Sequence, residues 1–156
     1  MSPIELTVRQ AAISDLAVIA RFNLALADET ENLKLDPARV TQGVRAVLAD
    51  AGKGIYFIAE AEGRAAGQLL ITYEWSDWRN GNFWWLQSVY VEKEFRSRGV
   101  FKKLFAHVAE LARREKDVCG IRLYMDAHNE NARQAYERLG MKQTNYELFE
   151  QVFTKL

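Results

Sequence analysis

Apolar and polar residues alternate from Ile4 to Arg9, a period of two that predicts a first strand. The rhythm then changes. Leu16, Ile19, Ala20, Leu24 and Ala27 recur at helical spacing, with Ser14 placed to cap the helix and Asp15 in its first turn. Pro37 can open a second helix carrying Val40, Val44 and Val47, which ends near the Gly52-Lys53-Gly54 turn. Two apolar runs, Ile55 to Ala61 and Ala66 to Trp75, flank Glu62-Gly63-Arg64 and read as a hairpin. A turn over Asp77 to Asn82 leads into another strand from Phe83 to Val91.

Beyond Val91 the helical period returns. Val100, Phe101, Leu104, Phe105, Val108, Leu111 and Ala112 make one apolar stripe, with Lys102, Lys103, Glu110, Arg113 and Arg114 largely off it. Ile121, Leu123 and Met125 alternate with Arg122, Tyr124 and Asp126 as a strand. Ala132, Ala135, Tyr136 and Leu139 then mark a short helix stopped by Gly140. The aromatic segment from Met141 to Phe153 is expected to form one or two final strands. This order predicts an α/β fold. Hairpins pair the early strands, the strand-helix-strand unit near Gly99 requires a parallel pair, and helices cover both faces of a mixed sheet.

Composition narrows the partners. The chain has 156 residues and 49% of them are hydrophobic, enough for one ordinary domain over 1–156. Its 21 basic and 21 acidic side chains cancel, which argues against general nucleic-acid binding or a polybasic membrane anchor. No segment approaches the ~18 unbroken apolar residues of a membrane span, and Met1 to Arg9 lacks a signal-peptide pattern. Cys119 is the single cysteine and reads as a small core residue, so a cytoplasmic setting is expected. His107 and His128 have no second ligand at metal-binding spacing, and no metal is expected.

The basic charge is instead local. A strand ending in Val89-Tyr90-Val91 leads through Arg96, Ser97, Arg98 and Gly99 into the helix opened by Val100, Phe101, Lys102 and Lys103. A glycine turn at a helix N-terminus presents free N–H groups to an anion, so the ligand is expected to carry phosphate.

Two motifs now give a resemblance. Val89-Tyr90-Val91 with Arg96-Ser97-Arg98-Gly99-Val100-Phe101 resembles the acetyl-CoA signature of the GNAT superfamily of N-acetyltransferases, R/Q-x-x-G-x-G/A after a V-x-V strand. Asn129-Glu130-Asn131-Ala132 with Tyr136 and Leu139-Gly140-Met141 is similar to its second signature, N-x-x-A-x-x-x-Y-x-x-x-G-F/M. Phe101 departs from the small residue usual there, and its ring is expected to turn toward the core. The resemblance implies a partly splayed sheet and coenzyme A as cofactor. In that reading Arg96 to Lys102 take the pyrophosphate, the main chain of Val89, Tyr90 and Val91 takes the pantetheine arm, and Asn129 and Asn131 assist. It also implies that a main-chain N–H between Gln87 and Val89 stabilises charge on the acetyl oxygen, and that Tyr136 is the general acid. Spacing alone favours Tyr136 as a core aromatic, since it shares a helical face with Ala132, and the paired motifs reverse that preference.

The acceptor is less determined. The Tyr73 to Trp85 hairpin is similar to the polyamine-acetylating branch, where a glutamate often stands at the position of Gln87. Glutamine cannot take a proton. Either a water relay ends on Glu29, Glu31 or Glu74, or the amine arrives neutral. Asp28, Glu29 and Glu31 could form an acidic rim for a cationic amine, or be ordinary surface acids. Trp75, Trp78, Trp84 and Trp85 could line the acceptor pocket, bury a dimer interface or fill the core. Three functions follow: acetylation of a small primary amine, acetylation of a protein N-terminus or lysine, and non-catalytic acyl-CoA binding. A homodimer seamed by the C-terminal segment is also compatible.

Overall fold

The computed structural model describes residues 3–156, in two units that divide after Leu123. In the first unit, among the described residues, a sheet runs in the order β1 (Thr7–Gln10), β2 (Ile55–Ala61), β3 (Arg64–Ser76), β4 (Gly81–Val91), β5 (Val118–Arg122). The first four strands are antiparallel neighbours and β5 joins β4 in parallel. The mixed α/β sheet is the one the sequence predicts. Glu62 and Gly63 both have positive φ, the two-residue turn that matches strand twist in a tight hairpin.

Helix α1 (Leu16–Glu31) and helix α2 (Pro37–Ala49) lie between β1 and β2 in the chain, and α3 (Val100–Arg114) between β4 and β5. The alternation of β2 shows which face each covers. Tyr56 and Ile58 join Ile19 of α1, Val44 of α2 and Leu70 in one buried cluster. Phe57, between them, meets His107 of α3 edge-on at 5.4 Å. Successive side chains of a strand point to opposite faces, so α1 and α2 cover one side and α3 the other.

Local chemistry sets the helix ends. Asp36 caps α2 by accepting from Ala38 N at 3.1 Å, with Pro37 in the first turn as expected. For α1 the expectation needs correction. A 3-10 turn covers Ile13 to Asp15, so Asp15, not Ser14, stands at the helix boundary. It does not cap the helix with its side chain. Its carboxylate accepts two hydrogen bonds of 2.8 Å from Arg9 and one of 2.7 Å from Ala12 N. These contacts hold its pKa below the usual carboxylate value, the Arg9 hydrogen bonds first and the Ala12 N–H after them, against the opposing effect of burial.

Two further expectations fail near β5. The strand occupies Val118–Arg122 and ends at the second residue of the alternation that had placed it from Ile121 to Asp126. Its partner decides this, because Asn82 to Trp85 of β4 pair with Val118 to Arg122. Cys119, expected in the core, is exposed on this edge strand.

The second unit, Tyr124–Leu156, contains helix α4 (Glu130–Arg138). Asn129 caps it by accepting from Ala132 N at 3.0 Å, and Gly140 ends it at φ 87°. The expected terminal strands are not formed: residues 141–156 carry no helix or strand. Aromatic and β-branched residues favour a pleated surface only when a neighbouring strand completes it. Here Tyr146, Leu148, Phe149, Val152 and Phe153 are all exposed.

Candidate functional site

The end of β4 and the start of α3 form the centre of the candidate site. β5 follows β4 only from Asn82 to Trp85, so among the described residues no strand lies beside the outer edge of Leu86 to Val91. That is the splay the sequence led us to expect. Peptide groups along such an edge are available to an extended ligand bearing amides.

A turn with left-handed residues follows. Ser97 (φ 62°) and Gly99 (φ 82°) both lie in that region, and Gly99 is the N-cap of α3. Gly99 O accepts from Lys103 N at 3.0 Å, closing the first helical turn. The N–H groups of the first turn precede that bond, where the start of a helix presents donors to an anion. Gly67 brings this helix start to the strands. A Cβ there would lie 2.8 Å from Tyr90 O and 2.9 Å from Val100 Cγ1, so only glycine lets β3, β4 and α3 meet so closely. Val100, Leu104 and Phe105 are buried from the same helix. Phe101 is half-buried at the rim of that face, its ring 6.1 Å from that of Phe105.

The expected phosphate residues divide by their contacts. Arg98 lies with its guanidinium 5.9 Å from the Phe95 ring, and Lys102 is exposed. Arg96 is a brace: Nε donates to Val91 O at 2.9 Å and Nη2 to Glu29 Oε1 at 2.8 Å. The other oxygen of Glu29 accepts from the Tyr90 hydroxyl at 2.7 Å. This triad ties the end of α1 to the end of β4. Tyr90 and Arg96 both hold the Glu29 carboxyl below its ordinary range, the Tyr90 hydrogen bond most. Burial first, then Glu29, pushes the Tyr90 phenol up to about 12.

The remaining acids named as relay candidates are also placed. Glu74 accepts from Arg122 at 2.7 Å and from Trp85 Nε1 at 3.1 Å. Glu31 is exposed at the last position of α1, and Asp28 pairs with Lys34 at 2.6 Å. Gln87 donates to Thr72 Oγ1 at 2.8 Å. Of the tryptophans, Trp84 is buried while Trp75 and Trp78 are exposed at the hairpin end.

Asn129, Asn131 and Tyr136 belong to the second unit. Asn129 caps α4, Asn131 is exposed on its first turn, and Tyr136 O accepts from Met141 N at 3.1 Å. Burial pushes the Tyr136 phenol above its ordinary pKa. Among the described residues no cluster of His, Cys, Asp or Glu could hold a metal.

Sequence reasoning missed a polar group beneath the β4 edge. Gln68 is fully buried, donates to Asn23 and to Ser88 O, and lies near Tyr56 through Asn23. Its one sequence signal is a lone amide inside the apolar run Ala65 to Ile71.

Comparison with known proteins gives this geometry its family. The model of the acetyltransferase (GNAT) family matches residues 13–141. The chain belongs to that family. The crystal structure of a possible acetyltransferase from Clostridium difficile 630 is 42% identical, covers 96% of this chain and 99% of its own, and superposes with a TM-score of 0.89. A predicted acetyltransferase from Clostridium acetobutylicum, solved with acetyl-CoA, shares the fold at 19% identity, with 94% and 96% of the two chains covered and a TM-score of 0.77. So does AAC(6')-Iy, solved with a bisubstrate analogue, at 20% identity, 96% and 99% coverage and a TM-score of 0.75. No curated protein matches. The GNAT chain is an acetyl-CoA-dependent N-acetyltransferase, and its open β4 edge and left-handed turn suit a ligand that carries both amides and a pyrophosphate.

Proposed function

We propose that this acetyltransferase acts on a primary amine of a small molecule, which attacks directly while both substrates are bound. The observation that carries the placement is the unpaired outer edge of β4 running into the Ser97-to-Gly99 turn and the α3 start. Bound acetyl-CoA supplies an acetyl group activated as a thioester. Val89 and Val91 hold the pantetheine amides with their main chain, and the α3 N–H groups with Arg98 and Lys102 hold the pyrophosphate. The Val89 N–H stabilises charge on the acetyl oxygen, and Asn129 and Asn131 steady the arm. Tyr136 gives its proton to the leaving sulfur as the C–S bond breaks and the C–N bond forms.

The acids support an acceptor that arrives neutral. Glu29 is committed to Tyr90 and Arg96, which hold its pKa down and make it a poor proton acceptor, and Glu74 is engaged by Arg122 and Trp85. Their charge is offset by the same arginines, which favours a small monoamine over a polycation. The amine proton then passes to water after attack.

The experiment combines binding with a panel of amines. Acetyl-CoA at about 100 times its dissociation constant should stabilise the fold by about 2.7 kcal/mol in a thermal melt. Thiol release should appear with small primary amines, and kcat/KM should climb with pH toward the pKa of the amine itself. Tyr136→Phe should lower kcat about tenfold or more with unchanged acetyl-CoA affinity. No thermal shift, or no thiol release with any amine, overturns the proposal.

A further inference from the structure

The polar group beneath the β4 edge has a direction that can be worked out bond by bond. Ser88 O is a carbonyl and can only accept, so the Gln68 amide must present its nitrogen there, at 3.1 Å. The same nitrogen donates at 2.8 Å to Asn23 Oδ1. Asn23 must therefore turn its own nitrogen the other way, where it donates to the Tyr56 hydroxyl oxygen at 3.1 Å. Burial holds the Tyr56 phenol above its ordinary pKa, so it keeps its proton, and Ser88 stands beside its hydroxyl. The bonded path runs from Ser88 O through Gln68 and Asn23 to Tyr56, and so comes back beside the residue it left.

Ser88 is where β4 is irregular. Gln68 pairs with Tyr90 and Leu70 with Gln87, so Ser88 and Val89 together oppose Leu69. Ser88 also holds φ at 49°, a conformation disfavoured for serine that persists only when its surroundings fix it. A peptide group is planar and trans, so its C=O and N–H point in opposite directions. Once the fully buried Gln68 captures Ser88 O, the Val89 N–H on the same peptide must point away from Gln68.

We propose that Gln68 is a positioning residue for acetyl transfer: with Asn23 and Tyr56 it closes a ring on Ser88 that aims the Val89 N–H at the acetyl oxygen. Gln68 Oε1 is buried without a hydrogen-bond partner among the described residues, a cost that an apolar residue would avoid. The amide is accounted for by what its nitrogen holds. The inference rests on the placement of the acetyl group proposed above, and the ring itself does not.

Gln68→Leu and Tyr56→Phe test it. Both should lower kcat, Gln68→Leu by about ten- to a hundredfold, while the KM for amine and the affinity for acetyl-CoA stay within about twofold. A purely structural role would instead show as a lower melting temperature with kcat retained. Should Gln68→Leu fail to fold, Tyr56→Phe removes one hydroxyl from the same ring and decides alone. The Val89 amide resonance is read in parallel by NMR and should shift in either variant, whether or not any acceptor is turned over. Unchanged kcat in the folded variants overturns the catalytic role. An unmoved Val89 resonance overturns the ring. An inactive wild type whose Val89 resonance responds overturns the acceptor assignment and keeps the ring.

Discussion

Gly99 concentrates two demands in one residue. It takes a left-handed φ of 82°, and it caps the helix whose first N–H groups face the proposed pyrophosphate. No atom outside its chain neighbours lies within 4 Å of a Cβ built there, so a side chain would be strained by φ and would enter open space at the helix start. Gly99→Glu should therefore abolish acetyl-CoA binding through bulk and like charge, while lowering stability by only about 1–2 kcal/mol. Isothermal titration reads the first effect and a melt the second; retained affinity would displace the pyrophosphate from this turn. Asp15 makes a contrasting case, with stability at stake. Its folded pKa lies below the unfolded value near ~3.9, so its contribution is complete above that value and is lost as pH falls through the lower folded pKa. Asp15→Asn should cost about 1–3 kcal/mol at pH 7, and the gap to wild type should narrow below about pH 4 in urea titrations. Gly99 was legible because glycine before an amphipathic stripe has a known use. Ser88 was not, since no residue type announces a positive φ held by distant partners. Glu29 was legible as an acid but not as a brace, because Tyr90 and Arg96 lie far along the chain.

At the scale of elements, the site exists because a strand ends and a helix begins in nearly the same place. Gly67 of β3 is the contact that allows it, with Tyr90 O and Val100 both inside 3 Å of a Cβ built there. The carbonyl belongs to the sheet and cannot yield. Gly67→Ala should therefore push the α3 start outward, costing about 1–3 kcal/mol and weakening acetyl-CoA binding together with stability. A melt and a titration on the same sample check the pairing; lost stability with intact affinity would detach the helix start from cofactor binding. Most elements were readable from periodicity, since both faces of β2 and the buried stripe of α3 repeat as strand and helix require. β5 was misplaced because an edge strand is set by what it pairs with, and Asn82 to Trp85 lie in another element. Cys119 follows from the same error, because burial on an edge strand depends on which face is covered.

For the whole molecule, neutral charge and a family model spanning residues 13–141 describe an enzyme of ordinary composition, with one unusual stretch. Phe149 and Phe153 are each 88% exposed, and Tyr146, Leu148 and Val152 beside them are exposed too. Scattered apolar side chains are normal on a surface, but several aromatic and aliphatic residues in one short segment make a patch suited to being covered by another surface. Strand propensity without a strand has the same meaning, since the missing condition is a neighbour to pair with. A second copy of the chain brings an identical segment, and a twofold seam lets each copy cover the other. The purified protein should therefore sediment at twice the 17.9 kDa mass of the chain. Phe149→Asp with Phe153→Asp should return it to a monomer whose melting temperature no longer depends on protein concentration. Both positions are already in solvent, so the substitutions remove no packing inside the chain. A wild type that sediments as a monomer at all concentrations would leave the segment to a partner of another kind.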